Sequence, residues 1–465
     1  MMIMRRLLAA LIAGVVVCAS AVALPAQAAA QEPREHEGEI NGARYRVEVP
    51  KRWNGTLVLY SHGYYPEGYT FEQVPLSNND ETREWLLEHG YALAASEYQN
   101  KGVGYLIEEA MRDQLTLLDW FNAKVGKPRR TVLSGQSLGG SIATLLAERY
   151  PRRFDGALNL CAVYDPLNTF NTALDINFAV KTLLAPGEDI DLVNSRDPKA
   201  GRAALHDAIN RTRETRQGQA RLALAAALGN VTGWFHPHEP KPTDPAEWIR
   251  RQSDWVQWAK VDGNGTVAFA DIARRAGGNP LSNVGVNYTG QLARSGQRAA
   301  VERAYRKAGL DLRADLARLA AAPRIAPERD ALRYMYRYGV PTGGTRVPIV
   351  GLHTTGDAGV PPDQGRWYAE QVRRNGHPDR LRQFYVERGG HCSFNAAEEL
   401  TAFRALLTRI DTGHWPRHTD PRRLNAEANR FDPRFHLVAA YDKPKKAMAP
   451  AFTRYSPPLT PRPSR

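Results

Sequence analysis

The sequence predicts an α/β protein: a mostly parallel sheet covered on both faces by helices and interrupted by a large helical insertion. Three observations predict it. From Glu39 to Ala162, short apolar or β-branched runs alternate with helix-length periodic runs, the rhythm of parallel strands joined by crossover helices. Between Leu167 and Thr345 that rhythm gives way to Ala-, Arg- and Leu-rich segments with helical periodicity, such as "ARLALAAAL" and "DLRADLARLAAA". Strand character then resumes at Val347 and the alternation continues to Ile410.

The elements follow in chain order. Arg5 and Arg6 precede an apolar run from Leu7 to Val17, and Ala26-Gln27-Ala28 offers a small-x-small cleavage site. Residues 1–28 therefore read as a secretory signal peptide, since polar sequence follows at once. Glu39 to Val49 reads as a hairpin around Asn41-Gly42. Thr56–Tyr60, Tyr91–Glu97, Thr131–Leu133 and Gly156–Ala162 read as strands. Glu81–Glu88, Tyr105–Ala123 and Gly139–Tyr150 read as helices, the second with Ile107, Met111, Leu115, Leu118 and Phe121 at helical spacing. After the insertion come a strand at Ile349–His353, a helix at Gln364–Asn375, a strand at Arg382–Val386 and a helix at Asn395–Ile410. These divide the chain into a first core part at 34–166, a helical insertion at 167–345, a second core part at 346–412 and a basic, proline-rich tail at 413–465. The tail, ending "YSPPLTPRPSR", is expected to pack loosely on the surface with its last residues disordered.

The formal charge is +13, and its distribution is uneven. The insertion carries 25 basic and 18 acidic residues and the tail 11 and 4, so each contributes +7 and the rest sums to −1. The positive charge thus lies outside the two core parts. Attraction to an anionic cell envelope is one reading of it. Nucleic-acid binding is not expected, for want of a motif, an aromatic platform or a basic helix. No stretch after the leader is long enough to span a bilayer, so a secreted, extracellular protein is expected. No cofactor and no metal are expected either. His236, His238 and Glu239 cluster in "WFHPHEP", but the loop is proline-rich and lacks a matching half-site.

The chemistry concentrates in "TVLSGQSLGGSIA", Thr131 to Ala143. Gly135-x-Ser137-x-Gly139 lies between a strand and a helix, where a sharp turn lifts a serine Oγ out of the sheet and glycines clear the backbone around it. A serine nucleophile needs a base, and the base an orienting acid. His391, in "VERGGHCSF", follows the last core strand after two glycines; Asp357, in "HTTGDAGVPP", follows Ile349–His353, with Asp363 the alternative further along the turn.

Nucleophile, acid and base in the order Ser137, Asp357, His391, each past the end of its own strand, resemble the α/β-hydrolase superfamily. The resemblance covers Glu37–Asp165 and Val347–Ile410. It implies the α/β-hydrolase fold, an acyl-enzyme mechanism and an oxyanion hole formed by the backbone N–H groups of Tyr64, in "SHGYY", and Leu138. His62 in the same motif reads as structural. The insertion stands where this superfamily places a lid, and its Trp234, Trp248, Trp255 and Trp258 either line an acyl pocket or form the lid's own core. A small-molecule carboxylic ester is the expected substrate. The alternative is a prolyl-aminopeptidase-like enzyme gripping an α-amine with Glu188, Asp189 and Asp191. An acyltransferase and a non-catalytic envelope-binding protein are further readings. Secreted tannases and feruloyl esterases of the superfamily carry a cysteine after the histidine, as Cys392 stands here, but its partner precedes the serine, where this chain has Gln136. Cys161, past the neighbouring strand, is drawn to the same sheet edge. A Cys161–Cys392 disulfide and two unpaired thiols are both open.

Overall fold

The computed structural model describes residues 33–440 and 443–464; the leader, with its cleavage site and Cys18, lies outside them. The strands are β1 (Arg34–Ile40), β2 (Ala43–Val49), β3 (Thr56–Ser61), β4 (Ala92–Ser96), β5 (Arg130–Gln136), β6 (Gly156–Leu160), β7 (Ile349–Gly356), β8 (Leu381–Gly389), β9 (Leu437–Val438), β10 (Lys446–Ala447) and β11 (Phe452–Thr453). Nine of them form one sheet in the order β1-β2-β4-β3-β5-β6-β7-β8-β11. The strands from β4 through β8 pair in parallel, while β1, β2 and β11 make antiparallel edges. The sheet and its covering helices form the α/β-hydrolase fold.

The central strands read apolar on both faces because both faces are covered. Leu57, Leu59 and Leu133 pack in one hydrophobic cluster, under the helices Ile107–Lys124 and Leu138–Arg149. Val58, Val132 and Val350 pack in the other, under Ala396–Thr412. The β1–β2 hairpin turns at Asn41 and Gly42, with φ of 53° and 83°; two positive φ values match the twist of the flanking strands. β7 runs three residues beyond the predicted His353, to Gly356. Asp357 therefore leaves the sheet directly from the strand end.

The insertion is built of helices joined by loops, and its buried apolar residues share one hydrophobic cluster with the core. Its first helix, Pro166–Leu184, is buried along nearly its whole length, because core residues lie on one side and insertion helices on the other. Trp255 is fully buried among the latter. Trp255 ends the helix Pro245–Trp255, and the chain then widens into a π-helical turn, Val256–Gly263. Such turns are rare and recur at functional sites.

The described residues of the tail differ from expectation: through residue 464 they pack against both core and insertion, while Arg465 lies outside the described residues. Phe452 and Thr453 pair with Val386 and Tyr385, adding an edge strand to the sheet. Asn230 of the insertion donates to Leu459 O at 2.9 Å, and Thr460 Oγ1 donates to Asp363 O at 3.1 Å. Arg462 pairs with the buried Asp175 at 2.7 Å, and Ser464 N donates to Asp165 at 2.9 Å. A proline-rich run has no periodicity of its own from which order can be read; its order comes from these distant partners. Part of its charge is paired with acids elsewhere in the chain, as in Arg434–Glu88, Lys445–Glu81 and Arg462–Asp175.

Candidate active site

Ser137 occupies the turn between β5 and the helix Leu138–Arg149, with φ 54° and ψ −117°. A non-glycine residue there costs on the order of 1–3 kcal/mol and persists only where the surroundings enforce it. Three things enforce it. Ser137 N donates to Leu160 O at 2.9 Å, Gly140 N and Val163 N both donate to Ser137 O, and close packing demands the flanking glycines. A β-carbon at Gly139 would overlap the Ser61 carbonyl, and one at Gly135 would overlap that of Gly139.

His391 follows β8 across Gly389-Gly390, whose second glycine has φ 83°. Its Nε2 lies 2.8 Å from Ser137 Oγ and its Nδ1 2.7 Å from Asp357 Oδ2. With Nδ1–H donating to the carboxylate, Nε2 carries the lone pair that accepts the serine O–H. The loop is held from beneath by a buried ion pair. Arg388 donates to both carboxylate oxygens of Glu398, at 2.7 and 3.0 Å, and to Ser393 O at 2.9 Å. Glu398 also completes a capping box with Asn395.

Asp357 is fully buried, and its other oxygen accepts from Val360 N at 2.9 Å. Burial works against its charge, but the His391 ring and hydrogen bonds from His353 and His391 outweigh it and hold the carboxyl down at about 2. His353, on β7, also donates to Val360 O at 2.8 Å and so braces the turn. Asp363 goes elsewhere. It opens the helix Asp363–Arg374, where Asn230 donates to it at 2.6 Å. Burial pushes its carboxyl up to about 7 against the pull of Asn230 and Lys260.

That displacement has a testable sign. An unfolded aspartate ionises near 3.8, so Asp363 begins to destabilise the fold as pH rises above that value, increasingly until about 7. Asp363→Asn is expected to raise the unfolding free energy at pH 8 by on the order of 4 kcal/mol while changing it little at pH 4. Thermal melts at both pH values check this, and an equal effect at the two would refute it.

Tyr64 and Leu138 present backbone N–H groups beside Ser137. Leu138 is the first residue of its helix, so its N–H has no intrahelical partner. Among the described residues neither N–H donates to another group. Gly63 brings the Tyr64 peptide close, since a β-carbon there would lie 3.3 Å from Ser137 Cβ. His62 lies apart from the relay, its ring buried with Nδ1 2.7 Å from Gly63 O and Nε2 3.0 Å from Glu97 O. It serves the loop's structure.

Cys161 and Cys392 are joined by a disulfide, with Cα atoms 5.3 Å apart. Both take positive φ, 45° and 56°, so the bridge and Ser137 share a cluster of constrained backbone. Cys161 directly follows β6, whose Leu160 registers with Gln136. The bridge thus ties the histidine loop to the strand beside the serine. Replacing both cysteines by alanine is expected to lower stability by roughly 2–5 kcal/mol, measured by chemical denaturation; a loss below about 1 kcal/mol would contradict it. His391 with these two sulfurs is the closest grouping of metal-ligating side chains among the described residues, and the sulfurs are spent on each other.

The insertion reaches the relay through its π-helical turn. The Trp258 ring centroid lies 6.3 Å from that of His391. Lys260, fully buried, donates from Nζ to Gly359 O at 3.1 Å, in the acid turn. Trp234 packs on Gly356 and Gly389, and Trp248 lines a cavity of about 210 Å³ bordered by Asp357 and Asp363. Neither His353 nor Lys260 stands out in the sequence. A histidine four residues before the acid was a usable signal for the first. For the second there was none, because its partner is a backbone carbonyl 99 positions away.

Residues 29–373 match the model of a tannase-like family of unknown function (DUF6351). The chain belongs to this tannase-like family. Its relatives include the o-phthalyl amidase of Xanthobacter agilis, 29% identical over 424 residues that cover 85% of this chain and 91% of the relative. Among solved structures, a lipase in its open form has a TM-score of 0.39 and 16% identity, covering 82% of this chain and 98% of that one. An acylaminoacyl peptidase in complex with Z-Gly-Gly-Phe-chloromethyl ketone has a TM-score of 0.36 and 12% identity, covering 77% of this chain. The tannase-like chain spans 37% of that peptidase's length. This member of the tannase-like family is a hydrolase. No helix among its described residues is long and apolar enough to cross a membrane.

Proposed function

We propose that the protein is a secreted serine hydrolase that cleaves carboxylic esters through an acyl-enzyme on Ser137. One observation carries the reading: an unbroken relay from Asp357 through His391 to Ser137, at 2.7 and 2.8 Å, beside two backbone N–H groups without internal acceptors. In the forward step Ser137 Oγ attacks the substrate carbonyl while His391 Nε2 takes its proton. The carbonyl oxygen, now anionic, is received by the N–H groups of Tyr64 and Leu138. Removing one such donor costs about 3–4 kcal/mol in well-studied sites. The intermediate collapses as His391 returns the proton to the leaving oxygen. Water then repeats the sequence on the acyl-enzyme and frees Ser137. Secretion rests on the leader, and the insertion serves as the lid.

A second reading, cleavage of an aryl or acyl amide by the same residues, is favoured by the o-phthalyl amidase relative. The aminopeptidase alternative loses part of its support, because Glu188 is held by Arg211 on the surface of the insertion. The test is a panel of p-nitrophenyl esters of rising chain length set beside acyl- and aminoacyl-p-nitroanilides. Ester turnover with slower anilide turnover is expected. Anilide turnover without ester turnover would reverse the order of the two readings, and no turnover of either class would sink both.

A further inference from the structure

We propose that Lys260 is a positioning residue contributed by the insertion to the acid turn, coupling the docking of the insertion to the reactivity of Ser137; this rests on the serine-hydrolase reading above. Gly359, which accepts from Lys260 Nζ at 3.1 Å, lies between the acid and the base. A β-carbon at that glycine would lie 3.0 Å from His391 Cγ and 3.3 Å from Asp357 Oδ1. Its backbone is therefore the surface on which the imidazole rests. The turn has two fastenings of its own, Val360 N to Asp357 Oδ1 and His353 Nε2 to Val360 O. Lys260 supplies a third, from outside the core.

The Lys260 backbone is itself fixed, since the buried Asn177 donates to Lys260 O at 2.8 Å. The π-helical turn places Trp258 over His391 and Lys260 over Gly359 within three residues. A buried ammonium is costly unless charge answers it. The charges that answer it are Asp357, in the acid turn, and Asp363, on the adjoining helix. The other titratable groups around this junction are accounted for. His353 reaches the turn from β7 and His391 from its own loop, Asp165 faces Asp363, and Asp262, on the same π-helical turn, is held by His206. Burial lowers the Lys260 ammonium to about 8, with the two aspartates opposing. It is thus a cation through most of the neutral range.

One consequence follows. The hydrogen bond limits where Gly359, and hence the His391 ring resting on it, can settle.

The experiment measures the second-order rate of fluorophosphonate labelling at pH 7, with the melting transition, for the wild-type chain, Lys260→Met and Lys260→Gln. Lys260→Met is expected to slow labelling by about tenfold or more. Lys260→Gln keeps a donor for Gly359 O and is expected to recover most of that rate. Wild-type labelling by Lys260→Met, or an equal loss in both variants, overturns the proposal, because a lysine that only fills space would not be rescued by a donor. Failure of both variants to fold also overturns it, making Lys260 a folding residue. A wild-type chain that is not labelled, or Ser137→Ala labelled as fast as wild type, defeats the serine reading itself and is recognised without either lysine variant.

Discussion

Ser137→Ala is expected to lower kcat by on the order of 10⁶-fold and to abolish fluorophosphonate labelling, with the melting transition unchanged or raised. The relay exists to take one proton from one oxygen, and alanine removes only that oxygen. The turn itself survives, because it is held by backbone bonds to Leu160 O and from Gly140 N and Val163 N and by glycine packing that an alanine leaves untouched. Relief of a constrained serine at φ 54° does not arise, since alanine shares the same backbone. Mass spectrometry of the labelled peptide checks the assignment. Label on another serine in the variant would remove Ser137 from the proposed mechanism.

Asp357→Asn is expected to reduce kcat by on the order of 10⁴-fold while the protein still expresses and folds. The amide can offer its NH₂ to Nδ1 and so turn the imidazole to the tautomer whose Nε2 bears a proton, which then cannot accept from Ser137. Stability has its own pH signature. The carboxyl is held at about 2 against 3.8 when unfolded, so its stabilisation is complete above the unfolded value and is lost as pH falls through about 2. The linkage is worth about 2 kcal/mol near neutrality, and urea midpoints for wild type and variant should therefore converge in strong acid. Asp363→Asn is the companion measurement. It leaves the His391 contact intact, and a loss of activity larger than that of Asp357→Asn would make Asp363 the acid.

The alternation of strands and helices was legible because each element is written locally, in periodicity and in terminating glycines. Ser137 was legible for the same reason: glycine spacing and a strand-to-helix change are neighbours in sequence. Asp357 could be narrowed to a turn containing two aspartates. Only the extension of β7 to Gly356 shows which of them leaves the strand end toward His391. Lys260 and the tail were not legible as partners of the site. What fixes each is a backbone carbonyl, or a side chain hundreds of positions away, and neither leaves a mark at the residue itself. Of the four tryptophans of the insertion, the sequence offered two fates without dividing them. The structure divides them: Trp255 lies in the insertion's core, while Trp258 faces His391.

The ordered tail bears on how the molecule comes into being. Asp175 waits for Arg462 across 287 positions and Asp165 for Ser464 across 299; Asp175 lies in the helix with which the insertion begins and Asp165 caps that helix's N-terminus. Closing loops of that length is slow relative to local structure. During vectorial emergence of the chain, the insertion is therefore made, and packs, long before the segment that fastens it to the core. Until residues 452–464 arrive, Asp175 is a buried carboxylate without its guanidinium and β8 an open sheet edge, the two features most exposed to chaperone capture and to misassembly. The last segment to arrive is the one that closes the sheet edge at β8 and answers the charge of Asp175.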